Sequence, residues 1–235
     1  MKLGILQCGS FVPELVEVHG SYPEMIEALL SSAGKVLEYE VYVCVDGQFP
    51  EGTDVCDAWL ISGSKYSVYD SLDWIAQLED FVRTLYAAKK KTVGICFGHQ
   101  VMAQAMGGKV VKSERGWGVG IAFNEVAVRK PWMEPRGDTF DIACFHQDQI
   151  IEMPKNAEIL AGNLFCPYYM LQYGDCFLSI QGHPEFSSSL VRSLLKRRDF
   201  QIDASRLREA LTSLHAPVDS VQVAHWIGKF LSGEA

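Results

Sequence analysis

The sequence predicts an α/β fold, a three-layer sandwich with helices on both faces of a mostly parallel central sheet. Two observations carry this expectation. Over the first hundred residues short apolar runs alternate with amphipathic helical patterns, and repeated strand–helix–strand units imply parallel pairing with crossovers over both faces. A buried run then leads without a break into a glycine-flanked cysteine, as in a strand that turns sharply into a helix.

The elements follow in order. Residues 3–7 read as a short strand, and 21–32 as a helix with Met25, Ile26, Leu29 and Leu30 on one face. Residues 41–45 form a second strand, closed by the Asp46-Gly47 turn, and Ala58–Ile61 a third that ends at Ser62-Gly63-Ser64. Over 71–88, Trp74, Ile75, Leu78, Phe81, Val82 and Leu85 recur at helical spacing. Lys89, Lys90 and Lys91 follow as cations suited to a helix C-terminus. Thr92–Ile95 is a buried strand, and a helix over 98–106 ends at Gly107-Gly108. Beyond Gly108, β-like runs at 110–111, 121–128, 140–145, 158–161, 170–172 and 177–181 are expected to extend the sheet and add antiparallel hairpins. Helical patterns close the chain at 187–199, 203–214 and 219–232. Neither a linker nor an internal repeat interrupts it. Residues 1–235 therefore read as one domain, with a C-terminal helical segment over about 187–235.

Composition narrows the function. A net charge of −8 argues against nucleic-acid or anionic-membrane partners, which need a cationic face. Apolar runs fall short of the roughly 18 residues needed to span a bilayer, and Pro13 arrives too soon for a secretory leader. Seven cysteines without CxxC pairs read as reduced thiols of a cytoplasmic protein.

The chemistry concentrates at Gly94-Ile95-Cys96-Phe97-Gly98. Placing a nucleophile on so sharp a strand-to-helix turn requires glycines two residues to either side, where a side chain would collide with neighbouring backbone. The turn lifts the sulfur to a helix N-terminus, where unpaired amides favour thiolate and can hold an oxyanion; the Phe97 N–H is a candidate donor. A thiol wants a base, and His183 is delivered at the carboxyl end of the strand over 177–181. Two residues on, along extended chain, Glu185 points to the same side and can orient the ring. His99, locked on the elbow helix, reads as packing, and His215 and His225 as surface residues. Gly116-Trp117-Gly118-Val119-Gly120 reads as a turn and not a nucleotide loop. Trp117, Trp132, Tyr168 and Tyr169 read as core or loop packing, with the wall of the substrate cleft as the alternative. His146 and Asp148 lack a third and fourth ligand, so no metal is expected, and no cofactor is implied.

These residues resemble the class I, or triad, glutamine amidotransferase family, whose fold is flavodoxin-like. Its Gly-x-Cys-x-Gly-x-Gln motif matches Gly94 to Gln100, and its distal His-x-Glu matches His183-Pro184-Glu185. The family's oxyanion turn matches Ile61-Ser62-Gly63-Ser64, so the resemblance implies an oxyanion hole from Phe97 and either Gly63 or Ser64. It also implies substrate contacts from Gln100 and from Phe145-His146-Gln147-Asp148, by likeness to the family's Ser-His-Gly-Asp segment. Two departures stand out: Ser64 and Gln147 replace glycines usual in synthase-coupled members. Both variants look closer to the stand-alone branch that includes γ-glutamyl peptidases. The expected activity is therefore cysteine-dependent hydrolysis of γ-glutamyl amides, glutamine included, through a thioester. The alternatives are a glutaminase subunit serving a separate synthase and a non-catalytic binding protein of this fold.

Overall fold

The structure, a computed structural model, describes residues 1–197 and 199–234. Arg198, inside the helix expected over 187–199, and Ala235, at the end of the C-terminal segment, lie outside the described residues. The strands are β1 (Lys2–Gln7), β2 (Glu38–Val43), β3 (Ala58–Ile61), β4 (Thr92–Ile95), β5 (Lys109–Lys112), β6 (Gly118–Val126), β7 (Thr139–His146), β8 (Asp148–Glu152), β9 (Ala157–Gly162), β10 (Met170–Tyr173) and β11 (Phe177–Ile180). The helices are α1 (Pro13–His19), α2 (Tyr22–Ser32), α3 (Asp73–Ala87), α4 (Phe97–Ala105), α5 (Ser188–Leu195), α6 (Ala204–Ser213) and α7 (Ser220–Ser232).

Nine strands form one sheet in the order β2-β1-β3-β4-β11-β10-β9-β6-β7. Its first five are parallel and the rest antiparallel. Alternation along β1 explains the layers. Leu3 and Ile5 face α2 and α7, where Ile26, Leu30, Trp226 and Phe230 complete one core. Leu6 faces the other way and joins Trp59 and Ile61 against Leu78, Val82, Val101 and Met102 of α3 and α4. A third apolar cluster lies under α5 and α6 and includes Tyr22, Phe186 and Leu194. Among the described residues no helix is long and apolar enough to cross a membrane.

Several elements differ from the sequence expectation. β2 begins at Glu38 and ends at Val43 because β1 offers it partners only from Lys2 to Gln7. The residues after it, Cys44–Asp46, turn as a 3-10 helix capped by Gly47. α1 was not foreseen: seven residues long and with none buried, it has no apolar stripe to betray it. β8 was also missed, and it pairs with β5 in a separate two-stranded sheet. α5 stops at Leu195, short of the expected 199. The glycine-rich segment is a turn only at its start, since β6 begins at Gly118.

Candidate active site

Cys96 joins β4 to α4 with φ 53° and ψ −99°. A non-glycine residue there costs on the order of 1–3 kcal/mol, held by its surroundings. Those surroundings are specific. The Cys96 N–H donates to the Ile180 carbonyl at 2.9 Å, and its own carbonyl accepts the Gln100 N–H at 3.1 Å. A Cβ at Gly94 would lie 2.5 Å from the Gly98 carbonyl oxygen, and one at Gly98 would press into the Ile61 carbonyl. Both glycines are sterically required.

Strand β11 runs beside β4 with Ile180 opposite Ile95, so the residues after Ile180 emerge next to Cys96. The His183 N–H donates to the Ala143 carbonyl at 2.8 Å, anchoring the segment to β7. The His183 Nδ1 meets the Glu185 carboxylate Oε1 at 2.7 Å, and both side chains are buried. The ring shares its cleft with Cys96. Phe186 stacks on it with centroids 3.8 Å apart and planes 10° from parallel. Burial opposes charging of the ring, but the Glu185 carboxylate and the Cys96 sulfur together outweigh it and push His183 up to about 10.

The turn after β3 is pinned from below. The Ser62 hydroxyl accepts the Cys8 N–H at 2.9 Å and donates to the Gly63 carbonyl at 3.0 Å. The Ser64 hydroxyl donates to the Cys8 carbonyl at 2.7 Å and accepts the Tyr66 N–H at 3.2 Å. Among the described residues, the N–H groups of Gly63, Ser64 and Phe97 donate to no acceptor, so all three remain free for an anion. Gly63 must be glycine because a Cβ there would sit 2.7 Å from His183 Cε1.

Gln100, His146, Gln147 and Asp148 line the same cleft as Cys96 and His183, a space of about 470 Å³. Gln100 spends its amide N–H groups internally, on the Asp148 carbonyl at 2.9 Å and Gln181 Oε1 at 3.0 Å. The Asp148 carboxylate is held by the Ser67 hydroxyl at 2.6 Å and the Tyr69 hydroxyl at 2.9 Å. The His146 Nδ1 lies 3.1 Å from the Asp148 carbonyl, and burial pushes its ring down to about 4, so it is neutral. His99 is not among the residues lining the cleft: buried against the Ser179 hydroxyl at 2.8 Å, it is pushed down by burial to about 3.

Sequence reasoning missed part of the wall. Phe11, Leu15, Tyr22, Phe186 and Phe200 also line the cleft, and so does Trp117, the alternative to packing that the sequence offers for it. Trp132 and Tyr169 do belong to the core. Phe186 had a readable signal, being next to Glu185. The others come from segments whose approach to Cys96 no local pattern encodes.

A sharp turn bearing a cysteine at the carboxyl edge of a parallel sheet, with a His–Glu pair just beyond the end of the neighbouring strand, defines a class of α/β proteins. The family model for class I glutamine amidotransferases matches residues 14–201. The chain belongs to that family. It is 33% identical to γ-glutamyl peptidase 4 of Arabidopsis thaliana over 190 residues, covering 77% of this chain and 74% of the relative. A glutamine amidotransferase-like protein of Schizosaccharomyces pombe is 29% identical over 250 residues, covering 97% and 98%. Among solved structures, a glutamine amidotransferase of Thermotoga maritima superposes with TM-score 0.72 at 15% identity, covering 99% of this chain and 96% of that one, a likeness of fold.

Proposed function

We propose that this protein is a cysteine-dependent hydrolase of γ-glutamyl amide bonds, with Cys96 as nucleophile, His183 as proton carrier and Glu185 as its orienter. The observation that carries the reading is the His183 ring, held at 2.7 Å by Glu185 in the cleft that also contains Cys96. The Cys96 thiolate attacks the γ-carbonyl carbon and forms a C–S bond, while the carbonyl electron pair moves onto oxygen. The N–H groups of Phe97 and of Gly63 or Ser64 hold that oxyanion. As it collapses the C–N bond breaks, and the His183 imidazolium gives its proton to the departing amine. The neutral ring then takes a proton from water, whose oxygen attacks the thioester and releases glutamate and the thiolate. Gln100, His146, Gln147 and Asp148 are the proposed contacts for the amino-acid end of the substrate.

The wall of the cleft favours a leaving amine larger than ammonia. About 470 Å³ exceeds what a glutamine needs, and Phe11, Leu15, Trp117 and Phe200 offer apolar surface beside the charged groups. The likeness to a relative named γ-glutamyl peptidase supports the same reading. The purified protein is expected to hydrolyse γ-glutamyl dipeptides without a partner, and faster than glutamine, with Cys96→Ser as the blank. If a glutamine-like electrophile labels Cys96 while dipeptides and glutamine both stay intact, the stand-alone reading fails and a glutaminase subunit awaiting its synthase replaces it.

The His183 shift sets the pH behaviour. With the proton held to about pH 10, the alkaline fall of kcat/KM should lie near that value, and Glu185→Gln should move it down toward the ordinary 6.5. The raised value also means that the native state alone binds this proton between about 6.5 and 10. That contribution to stability is complete below pH 6.5 and is lost as pH rises through 10. An alkaline limb in the same place in the Glu185→Gln variant would remove Glu185 from the proposed role.

A further inference from the structure

Tyr22 is the first residue of α2, and its placement is rigid. Ser21 caps the helix reciprocally with Glu24: the Ser21 N–H donates to the Glu24 carboxylate at 2.7 Å, and the Glu24 N–H donates to the Ser21 hydroxyl at 3.4 Å. The Tyr22 ring stacks on Phe11 with centroids 4.5 Å apart and planes 22° from parallel. It also lies 6.0 Å from Phe186, the residue stacked on His183. Only 7% of Tyr22 is exposed.

The position of the hydroxyl is informative. A Cβ built on Gly63 would lie 3.3 Å from Tyr22 Oη and 2.7 Å from His183 Cε1, so phenol and imidazole converge over the turn after β3. Among the described residues this hydroxyl has no protein hydrogen-bond partner and is not one of the buried unpaired groups, and Tyr22 lines the cleft together with Cys96 and His183, so the hydroxyl opens into the cleft. With no protein partner, the hydroxyl takes its hydrogen bonds from the cleft, from water in the free protein and from a bound ligand in the complex. Burial keeps the phenol protonated, raising it well above its ordinary range, and the negative charges at Cys96 and Glu185 act in the same direction. As a neutral phenol it keeps a proton to donate to an electron-rich atom in the cleft.

We infer that the Tyr22 hydroxyl is a catalytic hydrogen-bond donor to the oxyanion formed at the γ-carbonyl, beside the backbone donors of Phe97 and of Gly63 or Ser64. The inference rests on the hydrolase reading above and adds a side-chain donor that reaches the site from a different element. A donor aimed at charge that develops during reaction stabilises the transition state more than the bound substrate. No bond to Tyr22 is made or broken.

The test is Tyr22→Phe, which keeps the aromatic stack and removes one oxygen. On a γ-glutamyl dipeptide, kcat should fall about 100-fold with KM changed less than about 3-fold. Inhibition by a γ-glutamyl aldehyde, which closes on the thiolate to a tetrahedral oxyanion, should weaken by a similar factor. Alkylation of Cys96 by iodoacetamide, which forms no oxyanion, should proceed at the wild-type rate. A merely structural role would disturb alkylation and aldehyde capture together. An unchanged kcat, or a rise in KM alone, overturns the inference while leaving the hydrolase reading intact, provided Cys96→Ala is inactive. If the wild-type protein neither cleaves γ-glutamyl amides nor captures the aldehyde, the hydrolase reading falls and the inference falls with it.

Discussion

Replacing Cys96 by alanine should abolish γ-glutamyl hydrolysis, with a loss on the order of 10⁴-fold or more. The covalent step requires an atom that can form a thioester, and no other cysteine lines the cleft among the described residues. The remaining six cysteines are buried and free. Folding should be nearly untouched. Alanine at φ 53° carries the same backbone strain as cysteine, and the hydrogen bonds of this residue to Ile180 and Gln100 are made by its main chain. The measurement is steady-state turnover of a γ-glutamyl dipeptide, paired with a thermal melt. Turnover at the wild-type rate in a folded Cys96→Ala protein would remove the thiol from the mechanism.

The second large effect is structural. Gly98→Ala should destabilise the fold by about 2–3 kcal/mol and lower turnover at least about 100-fold in whatever protein still folds. The added Cβ meets the Ile61 carbonyl and lies 2.9 Å from Ile61 Cβ. Neither can retreat easily, because Ile61 ends a central strand paired on both sides. The first turn of α4 would have to shift, and with it Cys96 and the free N–H of Phe97. Gly107→Ala is the control. Its φ of 85° is also unfavourable for alanine, but the space around it is open, so only the backbone cost remains, about 1 kcal/mol, with no effect on turnover. If Gly98→Ala melts with the wild type and keeps its activity, the tight approach of α4 to β3 is not what positions the cysteine.

Much of this was legible from the residues. Helical spacing over Trp74 to Leu85, the buried run Thr92–Ile95 and the glycines around Cys96 each report on a few neighbouring residues, and local sterics and burial period suffice to read them. The pairing of His183 with Glu185 was also local, since residues two apart in extended chain share a side.

Other features were decided only by tertiary structure. Nothing near Phe177–Ile180 says that this strand lies parallel to β4, with Ile180 opposite Ile95; that follows from competition among all the strands for buried partners. The short α1 was silent because it buries no residue. Strand β8 was silent because five residues carry too little pattern to reveal a partner roughly 40 positions away. The same holds for the cleft. Cys96 could be read from five consecutive residues, whereas Tyr22, Trp117 and Phe200 meet it from segments roughly 20 to 100 residues distant. Sequence periodicity records which face of an element is apolar; which distant faces meet depends on packing the whole chain at interior density, and that information exists only in three dimensions.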